Sequence, residues 1–169
     1  VRYLKMCLNV HSKACNAGVI GETGRYPLII SIVKSMLKFW IHMVDNEYDN
    51  PLLKGACKEA LNLGNIQGSW AYACKQIYQL FGVKWSGVAP SKRTISEILD
   101  KMKTSYVKFW QSKIGDVTQK NGKLYTYRRV KSSFNLESYL NYIKDKQLRK
   151  ALTSFRISAH GLEIEKYRY

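Results

Sequence analysis

The sequence predicts a mainly α-helical protein, an irregular multi-helix bundle with one short extended segment or hairpin around residues 117–131. Three observations lead to this fold class. Apolar residues recur at helical spacing through most of the 169 residues. Polar clusters, glycines and prolines interrupt that pattern where helices should end. Finally, 46% of residues are hydrophobic and 12% are aromatic, which is enough for a packed core.

In the first half, the predicted helices cover residues 27–43, 52–63 and 70–81. The glycine-containing stretch before them, residues 21–25, is expected to be a tight turn, because it lacks the G-K-[ST] ending of a phosphate loop. An acidic loop over residues 45–51 separates the first two helices. Ser69 is the expected N-cap of the third helix, and Gly82 is its expected stop.

In the second half, the predicted helices cover residues 94–114, 136–143 and 146–158. Thr94 and Glu97 have the spacing of a capping box. Asn121-Gly122 is typical of a tight turn, and residues 123–130 are expected to be extended. We expect two subdomains, a helical packing subdomain over 1–89 and a basic helical subdomain over 90–169.

The charge is strongly positive and unevenly distributed. The chain has 28 Lys and Arg against 12 Asp and Glu, a formal net charge of +16. Residues 1–84 carry a net +5 and residues 85–169 a net +11, and the excess is densest between 120 and 156. Such a folded, basic chain favours a polyanionic partner, RNA and/or DNA. No apolar run is long enough for a membrane span, and we expect neither a membrane nor a small-molecule substrate.

Candidate nucleic-acid-binding residues follow from this concentration of charge. Phosphates require Lys or Arg, and single-stranded bases stack on aromatic rings. The candidates are six cations and two tyrosines: Arg128, Arg129, Lys131, Arg149, Lys150, Arg156, Tyr125 and Tyr127. Two alternatives remain open. The tyrosines could pack against the core from a surface strand, and the last helix could simply present a solvated basic face.

Catalytic and metal-binding patterns are incomplete. Cys7, His11 and Cys15 have helical spacing but lack a fourth ligand, so we expect free thiols, with no metal and no cofactor. No catalytic residue is assigned and the segment is expected not to be an enzyme. The weakest alternative is a nuclease that uses His160, Glu163 and Glu165.

Several stretches, in order along the chain, resemble the region C-terminal to the reverse-transcriptase domain in non-LTR (LINE-type) retrotransposon polyproteins. These stretches are L-N-V-H-S-K-A-C-N at 8–16, G-E-T-G-R-Y-P-L at 21–28, M-L-K-F-W at 36–40, R-K-A-L-T-S-F-R-I-S-A-H at 149–160 and L-E-I-E at 162–165. The chain departs from the family pattern at Asn9 and Thr23, where the family has Gly and Leu, and at Gly161, where a basic residue is common.

The resemblance implies a non-catalytic segment that holds template RNA or target DNA, whereas the parent polyprotein would be an RNA-directed DNA polymerase with endonuclease activity. The partners of the segment would be nucleic acid and the rest of the polyprotein. It would act inside the cell, and in the nucleus during retrotransposition. Because the chain starts at Val1 and stops abruptly at Tyr169, we expect it to be part of a larger protein. The alternative is a helical scaffold that docks to the polymerase thumb.

Overall fold

A computed structural model describes residues 1–44, 50–115, 124 and 126–160 of the chain. Helices dominate these residues, and they contain no β-strand, so the mainly α prediction is confirmed. In chain order the helices are α1 (Arg2–Cys7), α2 (Asn16–Thr23), α3 (Leu28–Val44), α4 (Pro51–Asn62), α5 (Trp70–Leu80), α6 (Lys92–Gly115), α7 (Tyr127–Val130), α8 (Tyr139–Tyr142) and α9 (Lys146–Arg156). A 3₁₀ turn, Leu63–Asn65, follows α4.

Side-chain caps explain where several helices begin. Asn50 caps α4 by accepting hydrogen bonds from the backbone N–H groups of Leu52 and Leu53. Ser69 caps α5 as predicted, since its Oγ accepts from the backbone N–H of Tyr72 at 3.1 Å. The expected stop after α5 is also present, because Gly82 adopts a φ of +64° that glycine tolerates best.

The start of α6 differs from the predicted capping box. The helix begins at Lys92, and the backbone N–H of Thr94 donates to the Oγ of Ser91 at 3.0 Å. Thr94 is therefore already inside the helix, and Glu97 pairs instead with Arg93 one turn earlier. The serine three residues upstream offered an equally good cap, and it lengthens the helix at its N-terminus.

The extended segment predicted over 123–130 is wrong for its last four residues. Residues 127–130 form α7, a single helical turn closed by a hydrogen bond from the Lys131 N–H to the Tyr127 carbonyl at 2.9 Å. The segment is short and aromatic, which favoured an extended structure, but a single helical turn forms there and places Tyr127 in the core. The predicted tight turn at Asn121-Gly122 lies outside the described residues. The helix predicted over 136–143 is shorter than expected and is limited to α8.

The chain divides into two compact units that do not match the predicted boundary at residue 89. One, here called the terminal unit, combines Val1–Tyr26 with Tyr106–Tyr169. The other, the central unit, is the continuous stretch Pro27–Ser105. By sequence, the terminal unit holds 18 basic and 6 acidic residues, a net of +12, and the central unit holds 10 and 6, a net of +4. The boundary was missed because α6 contributes residues to both units without a break in its helical pattern.

The core of the central unit is built around an aromatic cluster. Trp40 is fully buried, and its ring lies 5.5 Å from Trp70, 6.3 Å from Tyr78 and 5.0 Å from Trp85, centroid to centroid. Aliphatic side chains of α3 and α6 complete this core. Burial of such large rings stabilises the unit, because each ring removes a large apolar area from water.

The core of the terminal unit joins residues far apart in sequence. Val19 of α2, Trp110 of α6, Tyr127 of α7 and Ile157 after α9 are all buried against one another. The indole N–H of Trp110 donates to the carbonyl of Ala17 at 3.0 Å. Long-range packing of this kind gives α7 and α9 fixed positions on one scaffold, and both carry predicted nucleic-acid-binding residues.

Two glycines of the 21–25 stretch are required by close packing. A Cβ on Gly21 would lie 2.4 Å from the hydroxyl oxygen of Tyr127 and 2.7 Å from the Trp110 ring. Gly24 ends α2 with a φ of +56°, and its Cβ would lie 2.4 Å from the backbone of Asn135 and Leu136. The tight turn expected over 21–25 is therefore wrong for residues 21–23, which belong to α2, and Gly24 forms the C-terminal cap of that helix directly against residues 135–136.

Candidate nucleic-acid interface

Helix α9 supplies the clearest set of cations in the terminal unit. Asp145 caps it, with its Oδ1 accepting from the backbone N–H groups of Gln147 and Leu148 at 2.7 and 3.0 Å. After this cap the helix carries four basic residues and no acidic one. Lys146 and Lys150 are exposed, and Arg149 is half-buried. The helix therefore presents positive charge that no carboxylate of its own neutralises.

A pocket of about 240 Å³ adjoins the beginning of α9. Lys146 and Arg149 line one side of it, and Leu140 of α8 and the segment Met6–Asn9 line the rest. Asn9 has a φ of +53°, a conformation that Asn tolerates better than most non-glycine residues.

The structure places the predicted residues of α7 in different environments. Arg129 is exposed and Arg128 is half-buried. Tyr127 is fully buried, and its hydroxyl donates to the carbonyl of Gly18 at 3.3 Å. Burial raises the pKa of Tyr127, with a further contribution from Glu22. Tyr127 is thus a core residue and not a stacking platform, which corrects the prediction, while Tyr125 lies outside the described residues.

Two other predicted phosphate contacts belong to an internal charged network. Glu22 is fully buried, and both of its carboxylate oxygens lie 3.1 Å from the Nε of Arg156. The Nη2 of Arg156 lies 2.8 Å from an oxygen of Glu137. Burial opposes the charge on Arg156, but Glu22 and Glu137 outweigh that effect and raise its pKa. The guanidinium is therefore committed to carboxylates of its own chain.

Lys131 extends the same network. Its ammonium group pairs with Glu137 and donates to the backbone carbonyl of Asn135 at 2.7 Å, and the residue is only 2% exposed. The hydroxyl of Tyr139 completes the network, 2.5 Å from a Glu22 oxygen and 2.7 Å from the Oγ1 of Thr153. Burial and the bond to Glu22 raise the pKa of Tyr139. Lys131 and Arg156 thus stabilise the fold and are not surface contacts for phosphate.

The sequence could not separate structural from exposed cations, because both kinds occur in the same basic stretch. Arg128, Arg129, Arg149 and Lys150 retain surface positions. Lys146 is not among the eight candidates, although it shares a helical stripe with Arg149 and Lys150. Asn9 and Leu140 had no such signal, since only tertiary structure brings them beside α9.

The described part of the chain also bears on metal binding, on the nuclease alternative and on a membrane span. No group of three or more His, Cys, Asp or Glu residues is close enough there to hold a metal ion. The ring of His160 stacks on Phe155 at 5.6 Å, and Glu163 and Glu165 lie outside the described residues. Among the helices described, none alone is both long and apolar enough to cross a membrane, although α2 and α3 would meet that criterion if they were combined.

The pocket beside α9 can hold an anion, because it combines a concave surface with positively charged residues. Lys146 and Arg149 at the pocket rim, with exposed Lys150 directly after Arg149, suit a phosphate and its neighbour along a nucleic-acid backbone. Comparisons with models of protein families, with curated proteins and with solved structures found no match to this chain.

Proposed function

We propose that this chain is a non-catalytic nucleic-acid-binding segment of a retrotransposon reverse transcriptase, holding template RNA or target DNA. The observation that carries the proposal is α9, whose Lys146, Arg149 and Lys150 meet no acidic residue on their own helix, and whose Lys146 and Arg149 line a pocket. Lysine and arginine at this spacing neutralise successive phosphates and release counterions. Binding of this kind depends on salt and has little sequence preference.

The sequence resemblance supports the choice of family. Two of the resembling stretches, at 21–28 and 149–160, contain Glu22 and Arg156, which pair in the interior of the terminal unit. Because Glu22 and Arg156 form one buried ion pair, a sequence that shares the fold is expected to contain both of the stretches in which they lie. Because Arg156 is already paired with Glu22, we assign phosphate binding to Arg149 and Lys150, which lie on the first turns of α9.

Fluorescence anisotropy with a labelled oligo-uridine RNA, measured across a salt series, tests the proposal. Neutralising Arg149→Gln and Lys150→Gln together should weaken binding about tenfold at 0.1 M salt and reduce the salt slope by about 1.4, the loss expected for two contacts to a single strand. The matched control is Lys58→Gln with Lys84→Gln, which removes the same charge from exposed positions in the central unit.

Affinity that does not change with salt would exclude the proposal. Equal losses in the two double variants would also contradict it, because net charge and not α9 would then determine binding. Circular dichroism on both variants distinguishes a lost contact from a lost fold.

A second candidate, a scaffold that docks to the polymerase thumb, is favoured by one observation on the same helix. Leu148 and Phe155 of α9 are 62% and 57% exposed, and half-buried Leu152 lies between them on one stripe. Such a stripe is typical of a helix that is covered by a partner. If Leu148→Ser abolishes association with a purified reverse-transcriptase domain while RNA affinity is unchanged, the scaffold function is supported.

A further inference from the structure

A groove between α3 and α6 in the central unit has a charge pattern that the proposed function does not use. It has a volume of about 600 Å³. Lys34 and Lys38 of α3 line it from one side, and Lys92 and Lys103 of α6 line it from the other. The only carboxylate among its described lining residues is Asp100. The groove is thus a positively charged channel within a unit whose net charge is small.

Three of these lysines have no acidic partner in the described part of the chain. Lys103 lies 3.4 Å from Asp100 and is partly neutralised by it. No carboxylate within the described ranges comes within ion-pairing distance of Lys34, Lys38 or Lys92. Like charges along two facing helices repel one another, so an anionic occupant would relieve this repulsion as well as form new ion pairs.

The floor of the groove indicates which anion fits. It is formed by Ile41, Ile95 and Leu99, and none of its described lining residues is Phe, Tyr or Trp. Nucleic-acid bases bind to aromatic faces, which this floor does not offer. An aliphatic floor with cations along both edges matches an amphipathic helix, whose apolar side chains enter the groove while its acidic residues meet the lysines.

We propose that the α3–α6 groove binds an acidic amphipathic segment of a partner protein. Leucine-like side chains at helical spacing would contact Ile41, Ile95 and Leu99, and flanking glutamates or aspartates would pair with Lys34, Lys38 and Lys92. This binding surface is separate from the phosphate-binding role of α9, and the two can fail independently.

The test uses the full chain and a fluorescein-labelled peptide with leucines at i, i+3, i+4 and i+7 and glutamates between them. Binding is measured by anisotropy at physiological salt. Lys34→Glu with Lys38→Glu reverses two exposed charges and should weaken peptide binding about tenfold or more. The same peptide with glutamine in place of glutamate should bind the unmodified chain about tenfold more weakly, which requires no protein variant.

The matched control, Lys58→Glu with Lys84→Glu, makes the same change at exposed positions outside the groove and should alter affinity less than twofold. The affinity for oligo-uridine should fall no further in the Lys34→Glu, Lys38→Glu variant than it does in that control. Equal binding of the glutamate and glutamine peptides overturns the proposal. The proposal is also overturned if Lys34→Glu with Lys38→Glu weakens RNA binding and leaves peptide binding unchanged, because the groove would then be a nucleic-acid surface.

Discussion

The interiors of the two units are stabilised by different interactions. In the terminal unit the buried polar groups form a connected network of opposite charges, in which Glu22 pairs with Arg156, Glu137 pairs with Arg156 and Lys131, and Tyr139 donates a hydrogen bond to Glu22. The Nη2 of Arg156 meets Glu137 as an ion pair and has no hydrogen-bond partner among the described residues. In the central unit the interior is aromatic, and three of its buried polar atoms have no partner among the described residues. These atoms are Trp40 Nε1, Trp70 Nε1 and Tyr78 Oη.

The two units should therefore respond in opposite ways to loss of a polar group. Removing one member of a paired buried network leaves the others charged and unsatisfied. Removing a polar atom that has no partner costs nothing in hydrogen bonding and can even relieve a desolvation penalty. The central unit should instead be sensitive to changes in side-chain volume, because its stability comes from packing.

The largest effect is expected for Glu22→Gln. The substitution leaves the guanidinium of Arg156 buried without its main counter-charge, so the free energy of unfolding should fall by about 3–5 kcal/mol in urea denaturation. Glu97→Gln is the control, because the Arg93–Glu97 pair is solvent-exposed and should contribute less than about 1 kcal/mol. Similar losses for the two variants would mean that the buried network does not stabilise the terminal unit.

Adding a single methyl group should also affect the two units differently. Gly21→Ala places a Cβ against Tyr127 and Trp110 and should destabilise the protein by about 3 kcal/mol. Gly55→Ala, in α4 of the central unit, meets nothing within 4 Å and should stabilise it by about 0.5–1 kcal/mol. Thermal unfolding followed by circular dichroism measures both, and a stabilising Gly21→Ala would contradict the packing described here.

Removal of one hydroxyl compares the two interiors most directly. Tyr139→Phe takes a hydrogen bond from buried Glu22 and should cost about 2 kcal/mol. Tyr78→Phe removes an oxygen without a partner in the described residues, and the free energy of unfolding should be unchanged or slightly higher. If Tyr78→Phe is the more destabilising of the two in urea denaturation, the contrast between the units does not hold.

The last comparison concerns alkaline pH and the central unit. Burial raises the pKa of both Tyr78 and Cys74 to about 12, so the folded state retains protons that the unfolded state releases. Their contribution to stability is complete below about pH 9 and is lost as the pH rises toward 12. Above pH 10 the loss should be about 1.4 kcal/mol per pH unit for Tyr78, and Tyr78→Phe should reduce the slope of stability against pH accordingly. An unchanged slope in that variant would contradict the prediction.

Much of the helical structure could be predicted, because it depends on local chemistry. Ser69 and Gly82 delimit α5 by capping and by a positive φ, which are properties of the residues themselves. Thr94 shows the limit of such reasoning, since Ser91 was an equally suitable cap. The candidate interface was predicted less well. Lys150 is exposed and Arg149 is half-buried, whereas Lys131 and Tyr127 are buried and half-buried Arg156 pairs with Glu22 and Glu137.

Residue types and their spacing were enough to predict the helical class, the main helix starts and the concentration of positive charge toward the C-terminus. Tertiary structure decided which charges are internal, because the pairing of Glu22 with Arg156 joins residues 134 positions apart. It also decided the division into units, since the segments 1–26 and 106–169 meet only in the fold. The physical reason is that caps and periodicity act over a few residues, whereas burial and ion pairing depend on which distant segments come into contact.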